Sequence, residues 1–246
     1  MSSIWDRPEP GTRKPRHSRE QIAAAALAIA DREGFDAVSM RRVAEEVGAG
    51  TMTLYHYVRT KADLIDLMDD AIMGEVLIPD GELPATWRAA MRMIACSSHA
   101  AFLRHPWALR AMTDSNGGPN GLRHFEQSLA AVASLEIDTR AKLELMGIVD
   151  DYVFGYVFRS AEVTAALTAR ATDELIEGLL PHFELQIRSG DYPHIQALFG
   201  DADTRQTWEL IVDVMTAESR FEQGLDLLLD GIEAKLAGGG AWSSAG

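Results

Sequence analysis

Apolar residues in this 246-residue chain return every three or four positions almost throughout, and no stretch sustains an alternation of two. Three- and four-spacing lines one side of an α-helix, whereas a half-buried strand needs every second residue apolar. The fold class this implies is all-α. With 47% hydrophobic residues, the chain has enough apolar material for a small domain joined to a larger one.

Local punctuation divides the helices. Ser18 caps a first helix running to about Glu33, Gln21 completes a capping box, and Gly34 supplies the turn that ends it. Ser39 caps a short second helix carrying Val43, Ala44 and Val47 on one face and stopping at Gly48. After Gly48, Ala49 and Gly50 a third short helix spans Thr51–Val58, and Lys61 opens a longer one through Leu77. Pro79, Gly81 and Pro84 mark a boundary. Pro84 then starts a helix with Trp87, Met91, Ile94, Ser98 and Phe102 on one stripe, ending before Pro106. Ser115–Gly121 (SNGGPNG) reads as a turn, succeeded by a helix to about Leu135. A long helix begins near Asp138 with Met146, Val149, Val153 and Val157 in its buried stripe. Pro181 kinks or ends the helical segment it enters. A single last helix, about Thr204–Leu236, places Trp208, Ile211, Met215, Leu225, Leu228 and Ile232 on one side, and Gly238–Gly246 reads as a disordered tail.

The net charge of −14 argues against contact with nucleic acid until the chain is divided. Residues 1–63 carry ten Lys/Arg against nine Asp/Glu, whereas residues 64–246 carry thirteen against twenty-eight. The acidity belongs to the C-terminal part. Arg13, Lys14, Arg16 and Arg19 cluster in or beside residues 1–17, which read as a flexible basic arm within reach of phosphates. The first sixteen residues, with Pro8, Pro10, Gly11 and Pro15, lack the apolar segment of a signal peptide. The alanine-rich run Ala23–Ala30 is far shorter than the roughly eighteen residues of a membrane span. A cytoplasmic protein without membrane contact is expected. Cys96 stands alone, which excludes an intrachain disulfide and a zinc site of several thiolates; it reads as a small buried hydrophobe.

Two short helices of about eight residues joined by a Gly-containing turn cannot bury an apolar face alone, so they must pack on the first helix. That arrangement is a helix-turn-helix. Its second short helix fits the major groove of double-stranded DNA, where its early side chains meet base edges and phosphates. Thr51, Thr53, Tyr55, His56 and Tyr57 place hydroxyl and imidazole groups where helix propensity alone would favour Ala, Leu or Glu. Leu54 and Val58 form the apolar back, and Arg59 and Lys61 sit where the chain would leave the groove along the sugar-phosphate backbone.

The run from Ile22 through Ala26, Gly34, Val43-Ala44, Gly48 and Thr53-Leu54-Tyr55-His56-Tyr57-Val58 to Lys61 and Leu64 closely resembles the TetR family of transcriptional regulators, over about residues 18–66. Phe221-Glu222-Gln223-Gly224-Leu225-Asp226 through Leu229-Asp230-Gly231 resembles the C-terminal domain of its tetracycline-repressor-like members. The resemblance implies an N-terminal three-helix helix-turn-helix domain (18–66) followed by a larger helical ligand-binding and dimerisation domain (67–237). It implies a homodimer joined by a four-helix bundle from residues 138–165 and 204–236, a palindromic operator, and repression relieved by a small-molecule effector. Carried over by motif position, Arg41, Thr51, Thr53 and His56 would read bases, and Tyr55, Tyr57 and Lys61 would hold phosphates. Met52 belongs to the same DNA-facing set but departs from the polar residue or proline of relatives, and Met40 stands beside Arg41, so no relative's operator can be borrowed.

For the effector, small and apolar or aromatic, the expected walls are Trp87, Met91, Phe102, Trp107, Met112, Phe125, Met146, Phe154 and Phe158, although the same spacing also suits plain core packing. His99, His105 and His124 have no ligand spacing, so neither a metal nor a cofactor is expected. The adjacent pairs Asp69-Asp70 and Asp150-Asp151 point about a hundred degrees apart on a helix, which suits solvation better than shared metal binding. An enzyme is the first rival class, but the chain lacks H-E-x-x-H, G-x-S-x-G, a P-loop and paired E-x-x-H motifs. A helical interaction or ligand-binding protein with a non-functional helix-turn-helix is the second, and the hydroxyl cluster flanked by Arg41 and Lys61 argues against it.

Overall fold

The computed structural model describes residues 3–9, 17–111, 117–169, 178, 181–187, 189–200, 203–217 and 219–238. Arg13, Lys14, Arg16, Met112, part of the Ser115–Gly121 turn and residues 239–246 lie outside the described residues. Every regular element among those described is helical, and none of the helices is long and apolar enough to cross a membrane.

Helix α1 spans Arg19–Glu33, and both halves of the Ser18–Gln21 capping box are made. Gly34 ends it at φ 87°, a left-handed value that glycine adopts without steric penalty. Helix α2 (Met40–Glu46) is capped by Ser39, and Gly48 at φ 68° turns the chain into α3 (Thr51–Tyr57). Helix α4 (Lys61–Val76) opens on a second capping box, between Thr60 and Asp63. The expected boundary between residues 66 and 67 therefore falls inside one continuous helix, which joins the helix-turn-helix to the body.

The next helix begins later than expected. Thr86, not Pro84, precedes α5 (Trp87–Arg104), because the Thr86 carbonyl accepts the first intrahelical bond, from Ala90 N at 2.9 Å. A short α6 (Ala108–Ala111), α7 (Pro119–Ala131) and α8 (Thr139–Ala169) come next. Asp138 caps α8 by accepting from Ala141 N at 2.7 Å, and the stripe Met146, Val149, Val153 and Val157 is buried.

The single last helix expected over Thr204–Leu236 is two helices, Thr204–Thr216 and Arg220–Ala237. No proline or glycine marks the break. Ser219 starts the second helix, its carbonyl accepting from Gln223 N and its hydroxyl from Gln223 Nε2, local bonds that an apolar stripe does not reveal. Pro193–Phe199 is a further short helix that periodicity did not separate.

The chain divides into two compact units, Met1–Val157 with Leu228–Gly246, and Phe158–Leu227. In the first, one core joins Ile22, Ile29, Val43, Leu54, Leu64 and Met68 to Phe102 and Val157. Each fully buried aliphatic side chain there contributes roughly 1.5–3 kcal/mol relative to exposure. Ile4 belongs to the same core at 0% exposure. The expected flexible arm is thus corrected for residues 3–9: Ile4–Asp6 form a turn of 3-10 helix, Arg19 Nη1 donates to the Ile4 carbonyl at 2.9 Å, and Arg7 pairs with Asp63 at 2.6 Å.

Candidate nucleic-acid interface

Helix α3 is made mostly of residues with modest helix propensity, and seven residues are too few to hold a helix without packing. Leu54, Tyr57 and Val58, at three- and four-spacing, are buried in the core that also takes in Val43 and Ala44 of α2, the helix α3 packs on, and hold it in place. The opposite side then faces outward: Met52, Thr53, Tyr55 and His56 are exposed and Thr51 is half-buried. Met52 is the most exposed of them among large apolar residues, at 76%. Tyr57 is 8% exposed and belongs to the core, so its expected phosphate-holding role is corrected to packing. Tyr55 keeps the outward position.

Arg41 projects from α2 with its side chain 80% exposed and pairs with Glu45, one turn on, at 3.0 Å. Such an exposed pair is worth about 0.3–0.5 kcal/mol, so it does little to hold Arg41 in one place. Arg42 is held differently: it bonds Glu33 at 2.7 and 3.0 Å, and Arg32 bonds Glu33 and Glu46, which fixes α2 to the end of α1.

Exposed Arg59 and Lys61 flank the start of α4. Burial works against the charge on Asp63, but the Arg7 guanidinium and the Arg59 and Thr60 amides outweigh it and hold the carboxyl below its ordinary range. That carboxylate keeps the α3–α4 turn in one conformation. Lys61 Nζ lies 5.3 Å from the centre of the Phe35 ring, and the Phe35 ring stacks on Trp107 at 5.5 Å with 16° between planes.

Trp107 was expected as a wall of an effector cavity. Its ring instead packs against the turn after α1, and its Nε1 donates to Asp31 Oδ1 at 2.8 Å. Beside it His105, 5% exposed, sets Nδ1 2.8 Å from Asp31 Oδ1 and Nε2 3.2 Å from Glu75 Oε1, while Arg104 bonds Glu75. The corner between α5 and α6 therefore grips α1 and α4 together. Asp31, Phe35 and Glu75 could not be picked out in the sequence, and His105 could be considered there only as a metal ligand, because no local spacing links residues so far apart in the chain.

Of the other expected cavity residues, Met91, Phe102 and Met146 are buried and Trp87 is half-buried. Phe102 meets Phe154 edge to face at 5.2 Å. Phe125, Phe154 and Phe158 are exposed in the single chain. A cleft of about 460 Å³ lies elsewhere, lined by Trp5, Arg19, Leu67, Asp70, Glu75 and Asn120 among others. The acidic pairs are not both solvated as expected. Asp70 is buried and accepts from Asn120 N at 2.7 Å and Gly121 N at 3.2 Å, tying α4 to the start of α7. Burial, with the Asp151 charge adding to it, pushes the Asp150 carboxyl up to about 6. Among the described residues, no group of three or more His, Cys, Asp or Glu is placed to hold a metal ion.

This geometry coincides with family matches over nearly the whole chain. Residues 22–68 match the model of the bacterial regulatory proteins of the tetR family, and residues 79–236 match that of the tetracyclin repressor-like C-terminal domain. The chain belongs to the TetR family. As a TetR-family member it is a DNA-binding transcriptional regulator. It is 32% identical to the HTH-type transcriptional repressor DrrR1 of Streptomyces coeruleorubidus, over 96% of this chain and 86% of that one. It is also 32% identical to an HTH-type transcriptional regulator of Saccharopolyspora erythraea, over 94% of this chain and 92% of the relative. Among solved structures, the TetR family protein ActR of Streptomyces coelicolor in complex with (S)-DNPA aligns with a TM-score of 0.63 at 25% identity, covering 90% of this chain and 99% of ActR.

Proposed function

We propose that this TetR-family chain is a homodimeric repressor that holds a palindromic operator and releases it when a small apolar or aromatic molecule binds its helical body. The carrying observation is α3, whose outward face presents Thr51, Met52, Thr53, Tyr55 and His56 over a buried back of Leu54, Tyr57 and Val58. Arg41, Thr51, Thr53 and His56 are the base readers, Met52 supplies an apolar contact, and Tyr55 and Lys61 hold the sugar-phosphate backbone. Its output is occupancy of DNA, not turnover.

Dimerisation is supported by apolar side chains that a single chain leaves exposed: Leu143, Ile148, Phe154 and Phe158 on α8, and Leu227 on Arg220–Ala237. Ligand response is supported by the (S)-DNPA complex of ActR and by buried Met91, Phe102 and Met146 in the body. Release is then a population shift: the ligand favours a dimer whose two recognition helices no longer match half-sites about 34–36 Å apart. Helix α4 and the His105 corner carry the tilt, because both join the body to α1.

The test is anisotropy of a labelled operator titrated with (S)-DNPA and related aromatic compounds. A compound that binds is expected to release the operator, with two chains leaving together. Binding that left operator affinity unchanged would overturn the mechanism.

A further inference from the structure

Phe35 is the one ring among those described that meets both the DNA-facing lysine and the corner of the body. On one side of it stands Lys61, exposed at the start of α4, with Nζ 5.3 Å from the Phe35 ring centre. On the other stands Trp107, stacked on Phe35 at 5.5 Å. Trp107 has little freedom, because its Nε1 bonds Asp31 and the His105 ring meets it edge-on at 6.1 Å. A lysine ammonium is a flexible point charge, and an aromatic face within about 6 Å attracts and orients it. The stack is therefore fixed from the body, and Lys61 is its soft, solvent-facing end.

We infer that the Phe35–Trp107 stack positions Lys61 for a DNA phosphate, so that a shift of the corner between α5 and α6 is felt directly at the DNA backbone. The inference rests on the reading of Lys61 as a phosphate contact. It makes Phe35 and Trp107 positioning residues, neither of which touches DNA. When the corner moves with the ligand state, Trp107 slides on Phe35, the ring turns, and the ammonium leaves its preferred place. Weakened phosphate binding then accompanies the change in head spacing.

The readout is the slope of log affinity against log salt concentration for a mixed-sequence duplex, measured with the full-length protein. Each neutralised phosphate contributes about 0.9 to that slope for duplex DNA, whereas a drop in fold stability alone does not change it. Lys61→Ala is expected to flatten the slope by about 0.9 for each phosphate that Lys61 neutralises, and Trp107→Leu to flatten it by a similar amount. The double variant is expected to show no further flattening. Trp107→Phe keeps a stacking ring while giving up the bond to Asp31, and is expected to keep the wild-type slope. If Trp107→Leu fails to fold by circular dichroism, Phe35→Leu, which removes the ring face and keeps apolar volume, is expected to give the same flattening. Lys61→Ala flattening the slope while the folded Trp107 or Phe35 variant leaves it at the wild-type value would overturn the inference and leave Lys61 as a phosphate contact. An unchanged slope in Lys61→Ala would overturn that assignment itself, and the inference with it.

Discussion

His105 Nδ1 lies 2.8 Å from Asp31 Oδ1, across 74 residues of chain. This pairing ties the corner after α5 to the last turn of α1, and the same carboxylate oxygen receives Trp107 Nε1. Asp31→Ala removes the acceptor from both. His105 is buried, and a buried polar group deprived of a partner costs about 1–3 kcal/mol. For a chain of this length that lowers the thermal midpoint by roughly 2–12 °C, measurable by calorimetry. An unchanged midpoint would show that the corner contributes nothing to stability.

Thr53 is exposed on the outward side of α3, next to buried Leu54. Thr53→Ala is expected to relax base preference at one position of each half-site, by about 1–3 kcal/mol of discrimination at most, while Tyr55→Ala weakens binding to all sequences together. Quantitative binding to a panel of single-base operator variants separates the two. Equal losses across every variant for Thr53→Ala would remove it from the reader set.

Asp150 gives a pH prediction with a definite sign. Its carboxyl is raised from 3.8 to about 6, by burial first and by Asp151 second. The folded chain therefore keeps a proton that the unfolded chain releases, so this group's contribution to stability is complete below about pH 4 and is lost as pH rises through about 6. The displacement corresponds to about 2–3 kcal/mol. Asp150→Asn removes the penalty, so its thermal midpoint is expected to exceed that of wild type at neutral pH by several degrees and to converge with it near pH 4. A constant difference across that range would refute the assignment.

Gly118 precedes α7 where three elements converge. A Cβ there would overlap the Asp70 carboxylate and the Trp5 ring. Gly118→Ala must displace one of them, and overpacking of this kind costs about 1–3 kcal/mol. Urea unfolding is expected to show a lower midpoint at an unchanged slope. A variant as stable as wild type would mean that the Asp70–Asn120 link is free to move.

What could be read from the chain was local. Ser18 with Gln21, Ser39, Gly48 and the Val149–Val153–Val157 stripe each report a backbone or packing requirement within a few residues, and each was legible. Tyr57 was misjudged because a tyrosine three residues from Leu54 on a short helix can serve either side, and only its burial in the shared core decides. Trp107 carries the same aromatic signal whether it lines a cavity or stacks on Phe35. Asp31, Phe35, Glu75 and His105 gain their meaning through tertiary contacts, which periodicity does not encode. The break before Ser219 was hidden because the apolar stripe runs on across it.

Whether α3 binds DNA sequence-specifically with the help of phosphates is decided by selecting bound duplexes from a random library with the purified protein at two salt concentrations. Enrichment of one inverted repeat is expected, its half-sites about one helical turn apart or a multiple of it, with affinity falling as salt rises. A ligand-free protein that retained DNA equally well at both salt concentrations and enriched no sequence would refute the assignment of α3 as the recognition helix.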